Sequence, residues 1–531
     1  MMFRARTVFV EELAHTLRRP LFWFLVFILF LTTWGMSSGN VQIASGDSTV
    51  GGTKAWLTSE FNFAQTLLFL VTLLYSFFLS IGSGLSVIRD DETRMGEMLH
   101  ATPLRPGEYV WGKFLAILVG FLAALGFHLL FTVFFSYAVP SAEAAETCGP
   151  FDLVNYLRPV LVFALPTLAF FAGISFFLGE RWRRPMTVFL FPVAVLLFCG
   201  FFLWDWSPTW LDPRINRVLM LIDPSGFRWL NETWLKLDRG ARFYNETRIG
   251  LDLPFVLSRF AFFGIGLLAV VLAQRHLGQT ARGRVREPKR LRWRRQLLSQ
   301  PTDFVAVPRP LSALGMSIQP GRLISSLLRV AGTEARSLFS TPAIYLFGVL
   351  ILLQALGTAM IARGRFQTRI LLTPGQLAVD SMGVLTTLLC LLLMFYVTES
   401  LERERSTGLA SLAYSAPIPT ASILFGKSLA NSLVGAVVLV AAFLGCAIAL
   451  LVQGKVGLSL VPFLLIWGLL VLPTLLLWTS FVTCVQAVAK QRFVTYGVCL
   501  GVMAFTLYRQ LTGGMNWVGN WPLWGAVHWT D

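Results

Sequence analysis

Charge is scarce in this chain. Only 14% of its 531 residues are Asp, Glu, Lys or Arg, while 55% are hydrophobic. A typical soluble domain carries roughly 25% charged residues, so an ordinary water-soluble globule is excluded. Cysteine is equally sparse: of six residues, Cys199, Cys390, Cys446, Cys484 and Cys499 lie inside apolar runs and only Cys148 in a loop. A thiol in such a run behaves as a small hydrophobe, and without a CxxC or Cys/His spacing a disulfide framework and a zinc site are excluded too. Five histidines leave little material for a His-based catalytic cluster, and HExxH, GxSxG and strand-linked GxGxxG patterns are absent. Gly107 to Lys113 has GxxxxGK spacing, but Phe114 stands where Ser or Thr would hold Mg²⁺. Bulky Tyr109, Val110 and Trp111 also fill positions where backbone amides must curl round phosphates. The sequence therefore points to no enzyme, no metal and no cofactor held by this chain. The apolar runs also lack a chain of carboxylates, which gives a proton-driven carrier little support. His128, in the middle of one run, is the candidate intramembrane polar site; a neutral histidine bonding between helices is its plainer reading.

What is present is a series of apolar runs near the approximately 20 residues that a spanning helix needs. Six fall at about 21–39, 64–88, 114–139, 157–178, 186–205 and 254–274, and five at about 342–361, 376–398, 429–452, 459–484 and 493–511. The expected fold is an all-α polytopic membrane protein of two tandem six-helix modules with about 11 spans present. The modules are 1–280 and 326–531, joined by a basic linker at 281–325. The twelfth span falls beyond Asp531, so a longer parent protein is expected. Lys and Arg in short loops stay cytoplasmic. Those before the first span, and after the second, fourth, eighth and tenth, share one side if the N-terminus is cytoplasmic. The cluster Arg290-Leu291-Arg292-Trp293-Arg294-Arg295 in the linker reads as an anchor on anionic lipid rather than a nucleic-acid site. No cleavable signal is evident.

Two features recur in both halves. Residues 5–19 alternate apolar and charged positions in the manner of an amphipathic helix on the membrane surface, ending at Pro20. Glu334, Arg336 and Leu338 lead to Pro342 with the same spacing from glutamate to proline as Glu12 to Pro20. Farther on, Arg89-Asp90-Asp91-Glu92-Thr93-Arg94, Thr102-Pro103 and Gly112-Lys113 return as Arg403-Glu404-Arg405-Ser406-Thr407-Gly408, Ala416-Pro417 and Gly426-Lys427 at one constant offset. Each copy follows one apolar run and precedes the next. Proline stops a helix and glycine allows close packing where the next begins, and the mixed charges are expected to face water, where a partner pairs with them. A solvated connecting loop is the alternative. Tryptophan-rich stretches, Trp204 to Trp210 with Trp229 and again Trp517 to Trp529, read as an outer interfacial belt or a re-entrant lid.

The Thr407-Gly408-Leu409, Ala416-Pro417 and Gly426-Lys427 pattern resembles that of type-2 ABC exporter permeases; the first copy departs from it at Arg94-Met95, with Gly96 two positions later. The resemblance implies that 89–105 and 403–419 are coupling helices that dock on a separate ABC ATPase, a homodimer that binds ATP and Mg²⁺. The coupling residues it implies are Arg89, Asp90, Glu92, Arg94, Pro103, Arg403, Glu404, Arg405, Thr407 and Pro417, with Gly112, Lys113, Gly426 and Lys427 at the re-entry points. The implied setting is a bacterial inner membrane. The tail from Gly513 to Asp531 is similar to bacterial permeases that continue into an aminopeptidase-like domain, absent here. A secondary transporter, or a membrane anchor for such a domain, are the rival readings.

Overall fold

The computed structural model describes residues 2–37, 56–92, 104–139, 148–183, 185–204, 212–281, 322–340, 342–361, 371–406, 410 and 417–511, and among these there is no strand. In the first half, α1 (Met2–Arg18) is followed by α2 (Pro20–Ser37), α3 (Glu60–Asp90), α4 (Pro106–Ala138) and α5 (Val154–Trp182). Next come α6 (Pro185–Phe198), the short α7 (Pro213–Ile222) and α8 (Leu253–Thr280). The second half runs α9 (Leu323–Phe339), α10 (Pro342–Ile361), α11 (Met382–Glu404), α12 (Thr420–Gln453), α13 (Val461–Ala489) and α14 (Arg492–Leu511). Among the described residues, seven helices are long and apolar enough to cross a membrane, and nine if each bent pair counts as one span. The chain is thus a polytopic helical membrane protein. The apolar parts of α6 and α14 are shorter, Thr187–Gly200 and Val494–Met503.

Local chemistry sets the breaks. Pro20 has no N–H to continue α1, and the chain bends there by 57°. α4 starts with Pro106 in its first turn, where a missing N–H costs nothing, and Glu108 accepts from the Arg105 amide at 3.0 Å. α5 and α13 share a device that the charged motifs do not announce. Leu165-Pro166-Thr167-Leu168 and Leu472-Pro473-Thr474-Leu475 lie inside these helices, each directly after a widened π-type turn, Val160–Ala164 and Trp467–Val471. A proline ring collides with the carbonyl four residues earlier in a regular helix, and the extra residue in the turn makes room. Both helices then end on a residue in the left-handed region, Arg183 at φ 49° and Lys490 at φ 54°. The amides of these two residues bond to Gly179 and Gln486. The duplication therefore extends well past the charged segments.

The chain divides into two compact units. One comprises Met1–Arg275, Leu346–Thr373 and Ala441–Leu458; the other comprises His276–Tyr345, Pro374–Val440 and Ser459–Asp531. In the first, α3 is the central helix, with 78% of its apolar window buried against 28% for α8. Small residues let backbones meet, as is usual where lipid offers no hydrophobic drive for helix pairing. A Cβ on Gly179 would sit 2.5 Å from the Gly84 carbonyl, and one on Gly173 would sit 2.0 Å from that of Gly266. In the second unit, Trp478 is wholly buried and donates from Nε1 to the Cys390 carbonyl at 2.8 Å, tying α13 to α11. Ser432 and Thr479 share a hydrogen bond of 2.7 Å between α12 and α13.

The loop before α8 is packed rather than laid along an interface. Phe227, Trp229 and Leu230 are buried with Phe61, Phe163 and Phe255, and the Trp229 and Phe255 rings stack at 3.8 Å. This corrects the expected belt for Trp229; Trp206, Trp210 and Trp517 to Trp529 lie outside the described residues. Asp223, fully buried, organises the turn. Its Oδ1 accepts from the amide and hydroxyl of Ser225 at 2.9 and 2.6 Å, and its Oδ2 accepts from the Arg228 amide at 2.8 Å. Arg259, on α8, donates to the carbonyls of Asp223 and Pro224 at 2.5 and 2.8 Å. Burial pulls the Arg228 guanidinium below its ordinary pKa, against the opposing pull of Glu232 and Asp223. Removing the carboxylate leaves the amides of Ser225 and Arg228 without their acceptor in a buried turn, at about 1–3 kcal/mol each. Asp223→Ala should therefore lower the melting temperature in detergent clearly. Glu246→Ala, at an exposed i,i+4 pair with Arg242, should change stability by less than about 0.5 kcal/mol.

Candidate functional site

Where α3 ends and α4 begins, five ionisable side chains converge. Lys113, on α4, donates to Asp90 Oδ2 at 2.5 Å and to the Ser86 carbonyl at 3.0 Å, both on α3. Tyr109 donates to the same Asp90 oxygen at 2.8 Å. Arg89 donates to Glu12 of α1 at 3.0 Å, and Lys113 lies 3.3 Å from the same carboxylate. The lysine and Glu12 side chains are each only 5% exposed.

The second half repeats the arrangement atom for atom in its main features. Lys427, on α12, donates to Glu404 at 2.6 Å and to the Ser400 carbonyl at 2.6 Å, both on α11. Arg403 donates to Glu334 of α9 at 2.6 Å. Here Glu334 also accepts from the Ser400 hydroxyl at 2.7 Å, while Arg403 reaches Ser337 at 2.8 Å. The glycines occupy matching places. A Cβ on Gly112 would strike Val8 at 2.9 Å and the Ala5 carbonyl at 3.1 Å; one on Gly426 would meet Val330 and the Leu327 carbonyl, both at 2.9 Å. Glycine is required at both because α1 and α9 rest directly on the backbones of α4 and α12.

The two helices α1 and α9 have three faces rather than two. In α9, Ser326, Ala331, Glu334 and Leu338 are buried, Ile324 and Leu328 form an exposed apolar flank, and Arg329, Thr333 and Arg336 face outward on the other side. In α1, Glu12 and Thr16 are buried, Val10 is exposed beside Leu13 and Leu17, and Arg4, Glu11 and Arg18 occupy the remaining side. One face of each helix packs on protein, one is apolar and exposed, and one is polar and exposed, the pattern of an amphipathic helix docked on a bundle.

The structure brings together Arg89, Asp90, Gly112 and Lys113, and likewise Arg403, Glu404, Gly426 and Lys427. It also corrects the orientation expected for the charges among them: they turn inward to each other and to Glu12 or Glu334, instead of facing water. A buried ammonium needs a counter-charge and hydrogen bonds close at hand; Asp90 and Glu404 meet that need for Lys113 and Lys427, while Glu12 and Glu334 pair with the neighbouring arginines. Pro417 is exposed in the turn just before α12. Arg94, Pro103 and Thr407, with the side chains of Glu92 and Arg405, lie outside the described residues. His128 is buried within α4, its ring 6.2 Å from that of Tyr75 and its Nδ1 without a hydrogen-bond partner. It stands apart from the ion-paired corners. Reasoning from sequence missed the role of Ser86, Ser400 and Tyr109. For Glu12 and Glu334 the signal was present in their common spacing to Pro20 and Pro342. Among the described residues no group of three His, Cys, Asp or Glu could hold a metal ion.

Two models described as ABC-2 family transporter protein match in tandem, over residues 52–222 and 328–515, so that each half carries one such domain. The chain belongs to the ABC-2 transporter family and has the build of a type-2 ABC permease, a transport module rather than a catalytic one. No curated protein and no solved structure matches it. The Asp90–Lys113 and Glu404–Lys427 pairs fall at corresponding places in the two matched domains. Lys113→Met strands the buried Asp90 carboxylate and should cost about 3–5 kcal/mol. Pairing it with Asp90→Leu should recover more than half of that loss in a detergent melting series. A loss in the double variant equal to the sum of the losses of Lys113→Met and Asp90→Leu made singly would show that the pair is not coupled.

Proposed function

We propose that this chain forms both membrane halves of an ATP-driven exporter in a bacterial cytoplasmic membrane, with its N-terminus cytoplasmic. Segments 89–105 and 403–419 are its coupling elements, docking a separate ABC ATPase that binds ATP and Mg²⁺, in the form of a homodimer. The observation that carries this reading is the duplicated corner. In each half, helix ends flanking the segment are locked by a Lys to an acid and a serine carbonyl, which gives two equivalent mounting points for a two-fold symmetric partner. A loop with no docking duty has no need of the same ion pairs, the same glycine contact and the same proline twice.

Because Arg89, Asp90, Arg403 and Glu404 are engaged inside the corners, the side chains left for the partner are those between them, at 91–104 and 405–416. Closure of the ATPase on ATP would push on both segments and shift a bistable arrangement of the bundle, the work coming from differential contacts in the partner.

The direct test is affinity purification from the native membrane with mass spectrometry and an ATP hydrolysis assay. An ABC ATPase at about two copies per chain is expected. Arg94→Glu combined with Arg405→Glu should cut its recovery at least tenfold, about 1.4 kcal/mol or more of docking free energy, while the melting temperature of the chain alone stays unchanged. Undiminished recovery of the ATPase by that variant would contradict the assignment of these segments.

A further inference from the structure

Docking does not by itself require that the acid closing each corner come from the interfacial helix, yet in both halves it does. Glu12 binds Arg89 at the end of α3 and lies beside Lys113 at the start of α4. Glu334 binds Arg403 and Ser400 on α11. We infer that Glu12 and Glu334 are positioning residues that hand movement of the coupling segments to α1 and α9, and through them to the first span of each half. This rests on the docking role proposed for 89–105 and 403–419.

The physical case has three parts. Charges held together away from water attract far more strongly than exposed ones, so the corner moves as a body instead of shearing between its helices. α1 leads into α2 across the 57° bend at Pro20; with its lipid face keeping it in the plane of the membrane, a displaced α1 must carry the head of α2 with it. The charges are also separable from the packing. Val8 and Ala5 seat on Gly112, and Thr16 lies 3.0 Å from where a Cβ on Gly120 would be, so α1 is held on α4 by packing contacts as well as by the Lys113–Glu12 pair. Glu12 is therefore the charged tie from α1 to α3, and Glu334 that from α9 to α11, each one turn after the residue seated on the glycine.

The experiment uses the full chain with its co-purified ATPase in nanodiscs of phosphatidylethanolamine and phosphatidylglycerol. Hydrogen exchange is followed by mass spectrometry with and without ATP and vanadate. Two variants each remove an acid together with the arginine it binds: Glu12→Gln with Arg89→Gln, which spares Asp90–Lys113, and Glu334→Gln with Arg403→Gln, which spares Glu404–Lys427. In the wild type, exchange is expected to change in 89–105 and in 2–18 together. In the first variant the response of 2–18 should fall at least threefold, while that of 89–105 keeps at least half its size; the second variant should behave likewise in 323–339 and 403–419. A merely stabilising ion pair would lower the melting temperature and leave the ratio of the two responses unchanged, which overturns the inference and leaves docking standing. No response of 89–105 or 403–419 in the wild-type complex overturns the docking reading and this inference with it.

Discussion

A lysine at the start of a membrane helix has to find a counter-charge, and the local architecture follows from how that need is met. Lys113 and Lys427 are buried against Asp90 and Glu404, and each also takes a serine carbonyl one turn earlier. Those bonds fix where the second span of each half stops and the third begins. The arginine next to each acid is then left beside a buried site, and the glutamate of the interfacial helix completes its coordination. Charge balance thus fastens three helices at one point. Glycine at 112 and 426 makes the fastening possible by letting the interfacial helix lie on the backbone beneath it.

The rest of each half is built by means suited to lipid. Glycine pairs bring α3 onto α5 and α5 onto α8, serine and threonine hydroxyls return to carbonyls of their own helices, and tryptophan N–H groups find carbonyls across helix pairs. In the first half the long loop before α8 adds a polar hub of its own. The Asp223 carboxylate holds the turn through Ser225 and the Arg228 amide, Arg259 takes the carbonyls of Asp223 and Pro224, and the Arg228 side chain takes Asn216 and the Leu203 carbonyl, beside a stack of aromatic rings. The two halves therefore share their ion-paired corners, whereas this cap is described in the first half alone.

Much of this was legible in the sequence. Apolar runs located the helices, the recurrence of Arg-Asp or Arg-Glu, Pro and Gly-Lys located the corners, and the shared spacing of Glu12 to Pro20 and Glu334 to Pro342 located the amphipathic helices α1 and α9. The direction of the charges was not legible. A mixed stretch such as Arg89-Asp90-Asp91-Glu92 reads as a solvated surface when its partners lie 19 and 23 residues away, on α4, or near the N-terminus, on α1. The Leu-Pro-Thr-Leu repeat was hidden for the opposite reason: it sits inside apolar runs, where a proline reads as a break and only the widened turn before it keeps the helix going. Trp229 was placed at an interface by its composition alone, because nothing in a linear reading brings it to Phe255.

The central claim is that each coupling segment is mounted on an internally paired corner and meets an ATPase on its outer side. An experimental structure of the chain purified with its partner tests this most directly. The account predicts ATPase density against both 89–105 and 403–419, with Lys113 and Lys427 still bonded to Asp90 and Glu404 beneath it. Density that leaves either segment free, or lysines turned outward to the ATPase, would contradict it.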